Sequence, residues 1–598
     1  VSYRVKPASW SFSTASPAVR ALAGLGCIAA GAWCIKFFHA AGGWYSGFWQ
    51  PSEAVAGLPL LELAFDAWYL AFGSAFVALF TAGLMFMGIG ERLVAGLRQL
   101  GRWKHLPLLL AFLAGAISLL FRLLVLRRQV IADDEQTYRF IAQTLLAGRV
   151  VNPLPDVSAF FGNQFVIFNE HGWFGQYPIG HPAVLAVAKV LGATDFLFPV
   201  MAGMTALLTW KLGRQLLGPR RAMVGTALVA LSPHFTWTHG TLLSQPTSCF
   251  AMMLALLALL SWVRSRKSRY ALAAGSALGF GLLVRPLPGV LIVGLALAVM
   301  GERMLRQRDS HMRSLRSIVA LAAPIVLSLM LFGWVHYQQA GSPWKSGYQA
   351  QAPLAIGSAP TGGVGLSVFG NLVRENFWLF GWPLCLLPVM AARPARGRML
   401  LWGPPVAALI YRIGVAKTVV STTGPTYLME AVPALALLAS DGLARLWLLA
   451  RRLPGAPRGR GAQVPLAALA ATLAGICIFV PVQLSSIKRG VDERNVVFEM
   501  LARTGAERAL IFTTAVVRPE ASLTWAYFPP VPAFDLSDPV VFLRIPKDEF
   551  APRRMLAYWQ KRLPDRPAFV FMPGDPPRLI PLSPTQPPGS KSASPSGR

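Results

Sequence analysis

Apolar runs of about 20 residues recur from Val19 to Leu484, and this repetition leaves few folds open to the chain. A segment crossing hydrocarbon must satisfy its backbone polar groups internally, so each run reads as a transmembrane helix. The runs predict spans near 19–38, 66–90, 106–126, 195–216, 222–240, 243–263, 270–285, 287–301, 317–336, 376–391, 399–414, 427–448 and 464–484, about thirteen in all. Only 14% of the residues are charged and 54% are hydrophobic, where a soluble domain carries about 25% charged. A polytopic, mainly α-helical membrane protein follows, and a soluble enzyme is excluded.

The formal net charge of +30 would suit a nucleic-acid partner, but its distribution points to topology instead. Of the 56 lysines and arginines, 28 fall in Arg4, Lys6 and Arg20 and in alternate short loops, such as Arg92 to Lys104, Lys211 to Arg221 and Arg303 to Arg316. That is the positive-inside pattern, so no nucleic acid is expected. It puts the N-terminus in the cytoplasm. Segments 127–180, 337–375 and 415–426 and everything after about 485 then lie outside. The first run, Val19 to Phe38, lacks a small-residue cleavage site and is expected to stay as an uncleaved span. The five cysteines all fall inside predicted spans and form neither a metal-ligand set nor a disulfide framework.

Four regions are expected: N-terminal spans with a cytoplasmic loop (1–105), a transmembrane catalytic region (106–485), an extracytoplasmic α/β domain (486–576) and a disordered tail (577–598) rich in Pro and Ser. The α/β reading rests on a helical pattern from Asp492 to Arg503, β-like runs at Ala509–Thr514, Val540–Ile545 and Ala568–Met572, and a helix from Lys547 to Arg562. The long outer segments 127–180 and 337–375 are too rich in aromatics to read as disordered.

The acidic triplet Asp133-Asp134-Glu135 stands just beyond the span 106–126, ahead of a helical stretch from Gln136 to Gly148. Carboxylates at the mouth of a span serve packing poorly. They suit a helix start and equally a general base.

Asp134-Glu135 with Tyr138, Gly148-Arg149, Asn152-Pro153 and Tyr177-Pro178-Ile179-Gly180 resembles the first outer loop of the GT-C membrane glycosyltransferases, among them the protein O-mannosyltransferases and aminoarabinose-to-lipid A transferases. Arg285-Pro286, Gly341-Ser342-Pro343 with Gly347-Tyr348, Phe380-Gly381-Trp382-Pro383, and Gly424-Pro425 with Tyr427 and Glu430-Ala431-Val432-Pro433 are similar to later segments of the same family. The likeness runs from about 130 to 576. Relatives often carry an arginine where this chain has Thr426, and two additional spans precede the acidic loop. Three spans instead of one keep the loop on the same side.

The resemblance implies a bacterial inner-membrane enzyme that moves a sugar from a polyprenyl-phosphate donor to an envelope glycan, lipid or protein, with inversion. It implies Asp134 and Glu135 as the catalytic pair, Asp134 being the base. Asp133, Tyr138, His171, Tyr177, His181, Arg285, Lys345, Tyr348, Arg374, Tyr427 and Glu430 become the substrate-binding candidates, with Arg285 and Lys345 foremost for the phosphate. Glu170, His171 and His181 lack metal-ligand spacing, so no cofactor is expected, although some members of the family use a divalent cation. Two other readings remain open. A transporter or flippase for lipid-linked sugars should show symmetry between its halves. A non-catalytic scaffold would tolerate substitution of the triplet.

Overall fold

The computed structural model describes residues 16–40, 54–55, 58–59, 65–163, 165–307, 311–350, 364–395, 398–414, 423–452, 460–514, 530–546, 551–572 and 576–583. Eight helices among these are long and apolar enough to cross a membrane: Pro17–Phe37, Phe65–Phe86, Leu106–Val125, Gln245–Ser265, Pro286–Leu305, Ser314–Ala340, Thr426–Arg452 and Gln463–Arg503. Ser268–Val284 and Met399–Tyr411 are shorter apolar helices. The chain is therefore a multi-pass helical membrane protein with a small sheet near its C-terminal end. Of the tail expected to be disordered over 577–598, residues 577–583 are described and include the strand Arg578–Pro581, while 584–598 lie outside the described residues.

Three expected elements differ. The run 222–240 is broken into Pro219–Leu231 and Pro233–His239. Pro233 disfavours a helical conformation at Ser232, whose hydroxyl instead caps the second helix by accepting from Phe235 N at 3.1 Å. The run 376–391 spans the end of a helix, Val364–Trp378, a turn through Gly381 at φ +69°, and a short helix, Leu386–Met390. The run 464–484 and the separate helix expected at Asp492–Arg503 form one continuous rod, Gln463–Arg503. Pro481 lacks an N–H, and the rod absorbs this with a π-helical turn at Gly475–Phe479 just before it. Nothing from Ser485 to Val491 breaks the helix.

Small residues bring the helices together. An ideal Cβ on Gly115 would sit 3.0 Å from the Pro199 carbonyl oxygen, and one on Gly203 2.9 Å from that of Ala111. The helices Leu106–Leu120 and Leu197–Leu217 thus cross antiparallel at backbone contact.

The segment after Leu126 is more ordered than a loop. It holds the helix Asp133–Leu146, a 3-10 turn at Ser158–Phe161, and a hairpin pairing Val166–Asn169 with Gly172–Gly175. The hairpin tip closes on Asn169, whose Oδ1 accepts from His171 N at 2.9 Å and Gly172 N at 3.2 Å. The C-terminal sheet has the strand order Val540–Arg544, Ala509–Thr513, Ala568–Met572, Arg578–Pro581, with the first three parallel and the last antiparallel. The fourth strand was not foreseen.

Alternation along the central strand assigns its two faces. Ala509 and Ile511 pack on Val497 and Leu501 of the long rod. Leu510 and Phe512 pack with Met555, Tyr558 and Trp559 of the helix Ala551–Arg562 and with Phe160 and Phe161. The sheet thereby seats directly on the segment that carries the acidic triplet.

Gly180 marks where that segment meets the membrane helices. A Cβ there would lie 2.6 Å from the Leu283 carbonyl carbon and 2.8 Å from Val284 N, neither of which can yield. Gly180→Ala is expected to destabilise the full chain by about 1–3 kcal/mol. Gly96, which meets nothing within 4 Å, should accept alanine with no loss. Thermal unfolding of both variants in detergent checks this, and equal midpoints would refute the close-approach reading.

Candidate active site

The triplet forms the first turn of the helix Asp133–Leu146. Successive residues of a helix point about 100° apart, so the three carboxylates go three ways. Glu135 is buried and turns back: its Oε1 accepts from Ile131 N at 3.1 Å and Ala132 N at 3.2 Å, and its Oε2 from Leu242 N at 2.9 Å. Both oxygens are committed to backbone. Asp133 faces Arg494 of the long rod, Oδ1 to Nη2 at 3.7 Å. Asp134 accepts the Tyr177 hydroxyl on Oδ1 at 2.5 Å.

Around Asp134 stands an aromatic wall. The Tyr177 ring lies 4.7 Å from Tyr138, 5.4 Å from Phe165 and 5.8 Å from Tyr348. The Tyr138 hydroxyl donates to Ser244 Oγ at 3.1 Å. Tyr348 reaches this wall because Gly347 rests against the backbone of Gln176, where no Cβ fits.

Arg285 completes the group. Pro286 excludes the helical conformation from the residue before it, and Arg285 is extended at φ −144°, ψ 96° between two helices. Its guanidinium meets Glu430 at 3.0 Å and lies 5.2 Å from the centre of the Tyr427 ring. Tyr427 in turn packs on Tyr411 at 5.2 Å. Burial raises the Asp134 carboxyl above the ordinary aspartate range, against the Tyr177 hydrogen bond and the Arg285 charge, which both lower it. Asp134 and Arg285 therefore share one electrostatic site although they stand 151 residues apart.

Other candidates lie elsewhere. His181 is buried, with Nδ1 2.9 Å from Thr247 Oγ1 and Nε2 2.8 Å from the Leu242 carbonyl, so it pins the 242–247 turn. His171 sits on the hairpin tip, 3.6 Å from Glu170 and close against Gly341. Lys345 is exposed, and no contact links its side chain to Asp134 or Arg285 among the described residues. Arg374 is buried on the helix Val364–Trp378 next to Glu375, which meets His234 at 3.1 Å. Thr426 is buried at the start of the 3-10 turn Thr426–Ala431, the turn that carries Tyr427 and Glu430. Among the described residues no group of three or more His, Cys, Asp or Glu could hold a metal ion.

Sequence reasoning missed Tyr411 and Ser244. Tyr411 reads as part of an apolar run, and a single serine in a turn carries no signal.

Burial also pushes the Asp133 carboxyl up to about 7, opposed by Arg494. A free aspartate titrates near about 3.9. Between those values the folded state holds a proton that the unfolded chain has lost, so stability falls as pH rises through this window and is level above it. Asp133→Asn is expected to raise the unfolding midpoint at pH 8 and to leave it unchanged at pH 4. An equal difference at both values would overturn the assignment.

Residues 185–330 match the family model described as dolichyl-phosphate-mannose-protein mannosyltransferase. No curated protein matches the chain. Among solved structures, the chain is similar to ArnT from Cupriavidus metallidurans bound to undecaprenyl phosphate, at 16% identity over 79% of this chain and 93% of that one, with a TM-score of 0.48. The oligosaccharyltransferase of Archaeoglobus fulgidus is similar at 14% identity, over 68% of this chain and 62% of that one, with a TM-score of 0.41. The arabinosyltransferase EmbB from Mycobacterium smegmatis is similar at 15% identity, over 73% of this chain and 44% of that one, with a TM-score of 0.33. Over residues 185–330 the chain is thus similar to the dolichyl-phosphate-mannose-protein mannosyltransferases.

Proposed function

We propose that this chain is an inverting glycosyltransferase that takes a sugar from a polyprenyl-phosphate donor on the extracytoplasmic face of a bacterial inner membrane. The observation that carries the reading is a half-buried Asp134 set in a tyrosine wall, with the charge of the buried Arg285 acting on its carboxyl. A carboxylate held by Tyr177 and a guanidinium held by Glu430, the second acting on the first, match the two charges the reaction develops.

In the proposed step the acceptor hydroxyl oxygen attacks the anomeric carbon while its proton passes to Asp134. The bond from that carbon to the phosphate oxygen breaks, and the lipid phosphate leaves as an anion toward Arg285. A positioned base contributes about 10²–10⁴ to such a rate, and a fixed cation in a site shielded from water stabilises the leaving anion. Tyr177 orients Asp134 through its 2.5 Å hydrogen bond. Glu430 orients Arg285, while Tyr348 and Tyr427 offer ring faces to a sugar. With threonine at position 426, Arg285 is the cation this site supplies. Glu135, its oxygens taken by three N–H groups, acts as a positioning residue that fixes the start of the helix. The C-terminal sheet, seated on Phe160 and Phe161, is placed to hold the acceptor.

Asp134→Asn is expected to lower product formation by about 10²–10⁴ while the variant inserts and unfolds as the wild type does. Arg285→Ala should weaken donor use together with turnover. Because the base must be ionised, activity is expected to rise with pH through the raised pKa of Asp134. The measurement is product analysis with purified protein and a panel of polyprenyl-phosphate sugars. Wild-type transfer by Asp134→Asn would refute the assignment, and movement of lipid-linked sugar across vesicles without any glycosidic product would favour a flippase.

A further inference from the structure

Beside the helices Asp133–Leu146 and Gly180–Val190 lies a polar cavity of about 260 Å³ whose lining includes Leu242 but not Asp134. Arg122, Arg128, Arg139 and Lys189 line it with Gln143, Thr194 and a single carboxylate, Asp195. Four cations against one acid is an excess, and its place in the topology makes it unusual. The Leu106–Leu120 helix begins beside the basic loop Arg98 to Lys104, and the antiparallel Leu197–Leu217 helix ends at the basic loop Arg214 to Arg221. The cavity is at the opposite ends of both. It therefore gathers positive charge at the end of the bundle opposite the basic loops, where the short connections between spans carry few lysines and arginines.

The cavity wall is built, not incidental. Arg127 and Arg128 adopt φ values of 49° and 63°, a left-handed conformation that residues other than glycine avoid. The buried Arg122 holds that turn: its Nη1 and Nη2 donate to the carbonyls of Gln129 and Arg128, each at 2.7 Å, and its Nε to Asp195 at 2.9 Å. Asp195 is thus largely consumed by Arg122, with Arg128 Nε a further 3.7 Å away. Arg139 and Lys189 stand exposed at the cavity, and neither has an ion pair among the described residues. Val187, Val190, Leu191, Phe196 and Val200 lie exposed on the same helices and their connection. A cationic cavity bordered by apolar side chains at a helix end is the pattern of the hydrocarbon–headgroup boundary.

We propose that this cavity is a second anion site, separate from the site at Asp134, and that it takes the phosphate of an anionic phospholipid in the leaflet on that face. Arg139 and Lys189 grip the phosphate, Arg128 borders it, and the acyl chains lie along Val187, Val190 and Leu191. The proposal rests on charge complementarity and position, and does not depend on the reaction assigned above.

The test is native mass spectrometry of the full chain in detergent, titrated separately with phosphatidylglycerol, phosphatidylcholine and inorganic phosphate. Wild-type protein is expected to retain phosphatidylglycerol in preference to phosphatidylcholine. Arg139→Ala combined with Lys189→Ala should weaken that binding about tenfold or more, because two charge-assisted contacts are removed. Arg139→Lys with Lys189→Arg should restore most of it, and all forms should unfold at the same temperature. Retention of phosphatidylglycerol by the alanine variant at the wild-type level would overturn the proposal. Equal binding of phosphatidylcholine would do the same, leaving only unspecific boundary lipid. Inorganic phosphate binding as tightly as the lipid would overturn it as well, making the cavity a site for a free ion.

Discussion

One buried carboxylate organises the face of this protein on which chemistry is proposed. Taking an ionised glutamate out of water is costly unless its oxygens are met by donors, and Glu135 is met by three backbone N–H groups from two separate segments. Two of them start its own helix. The third belongs to Leu242, in the turn between two membrane helices, whose carbonyl in turn faces His181. A soluble-side helix, a turn of the bundle and the helix Gly180–Val190 are locked together through one residue. Arg122, itself buried, lowers the Glu135 carboxyl from a distance against the burial that raises it, so the anchor joins the two polar sites without belonging to either.

Around that anchor, glycine decides how close the segments come. Gly180 lets the Tyr177-Pro178 turn press on the end of the helix Ser268–Val284, and Gly347 lets Tyr348 close over Tyr177. Gly175 rests on Ile141 of the acidic helix, its Cβ position 2.6 Å from Cγ1. Side chains at these points would hold Arg285 and the tyrosines away from Asp134. The site owes its geometry to backbone packed on backbone, and its chemistry to the few long side chains left to fill the gap.

That division explains what the sequence made legible. Hydropathy located the membrane helices because lipid demands about 20 apolar residues whatever their packing, and Asp134 stood out because a carboxylate at a span's mouth has little to do in packing. Tyr177, Tyr348, Arg285, Tyr427 and Glu430 came forward from local motifs and do gather. Their convergence was not legible, since no period relates residue 134 to residue 285. Lys345 and His171 were candidates as well, yet an exposed loop and a hairpin tip hold them elsewhere. The breaks at Ser232 and Gly381 were hidden for a different reason. A proline or glycine inside an apolar run is tolerated in membranes when neighbours satisfy the freed groups, so hydropathy alone reads through it. The hairpin at Val166–Gly175 escaped because four-residue strands show too few alternations to register as a period.

The acidic triplet shows why adjacency in sequence misleads. Three consecutive acids resemble one cluster, and a cluster would suggest shared protons and mutual repulsion. The helix points them apart by rotating each about 100° from the last, although Asp134 and Glu135 still help to raise the Asp133 carboxyl. Asp133 is turned toward Arg494 on the rod that leads to the C-terminal sheet, Asp134 toward Tyr177 and the Arg285 charge, Glu135 toward backbone. Glu135 is fixed in place by backbone donors, while Asp133 only faces a guanidinium at 3.7 Å. Asp134 has one oxygen held by the Tyr177 hydroxyl, which orients the group, and its own backbone N–H also acts on the carboxylate. Of the three, it is the one proposed to take the proton, and Glu135 beside it anchors the start of their helix.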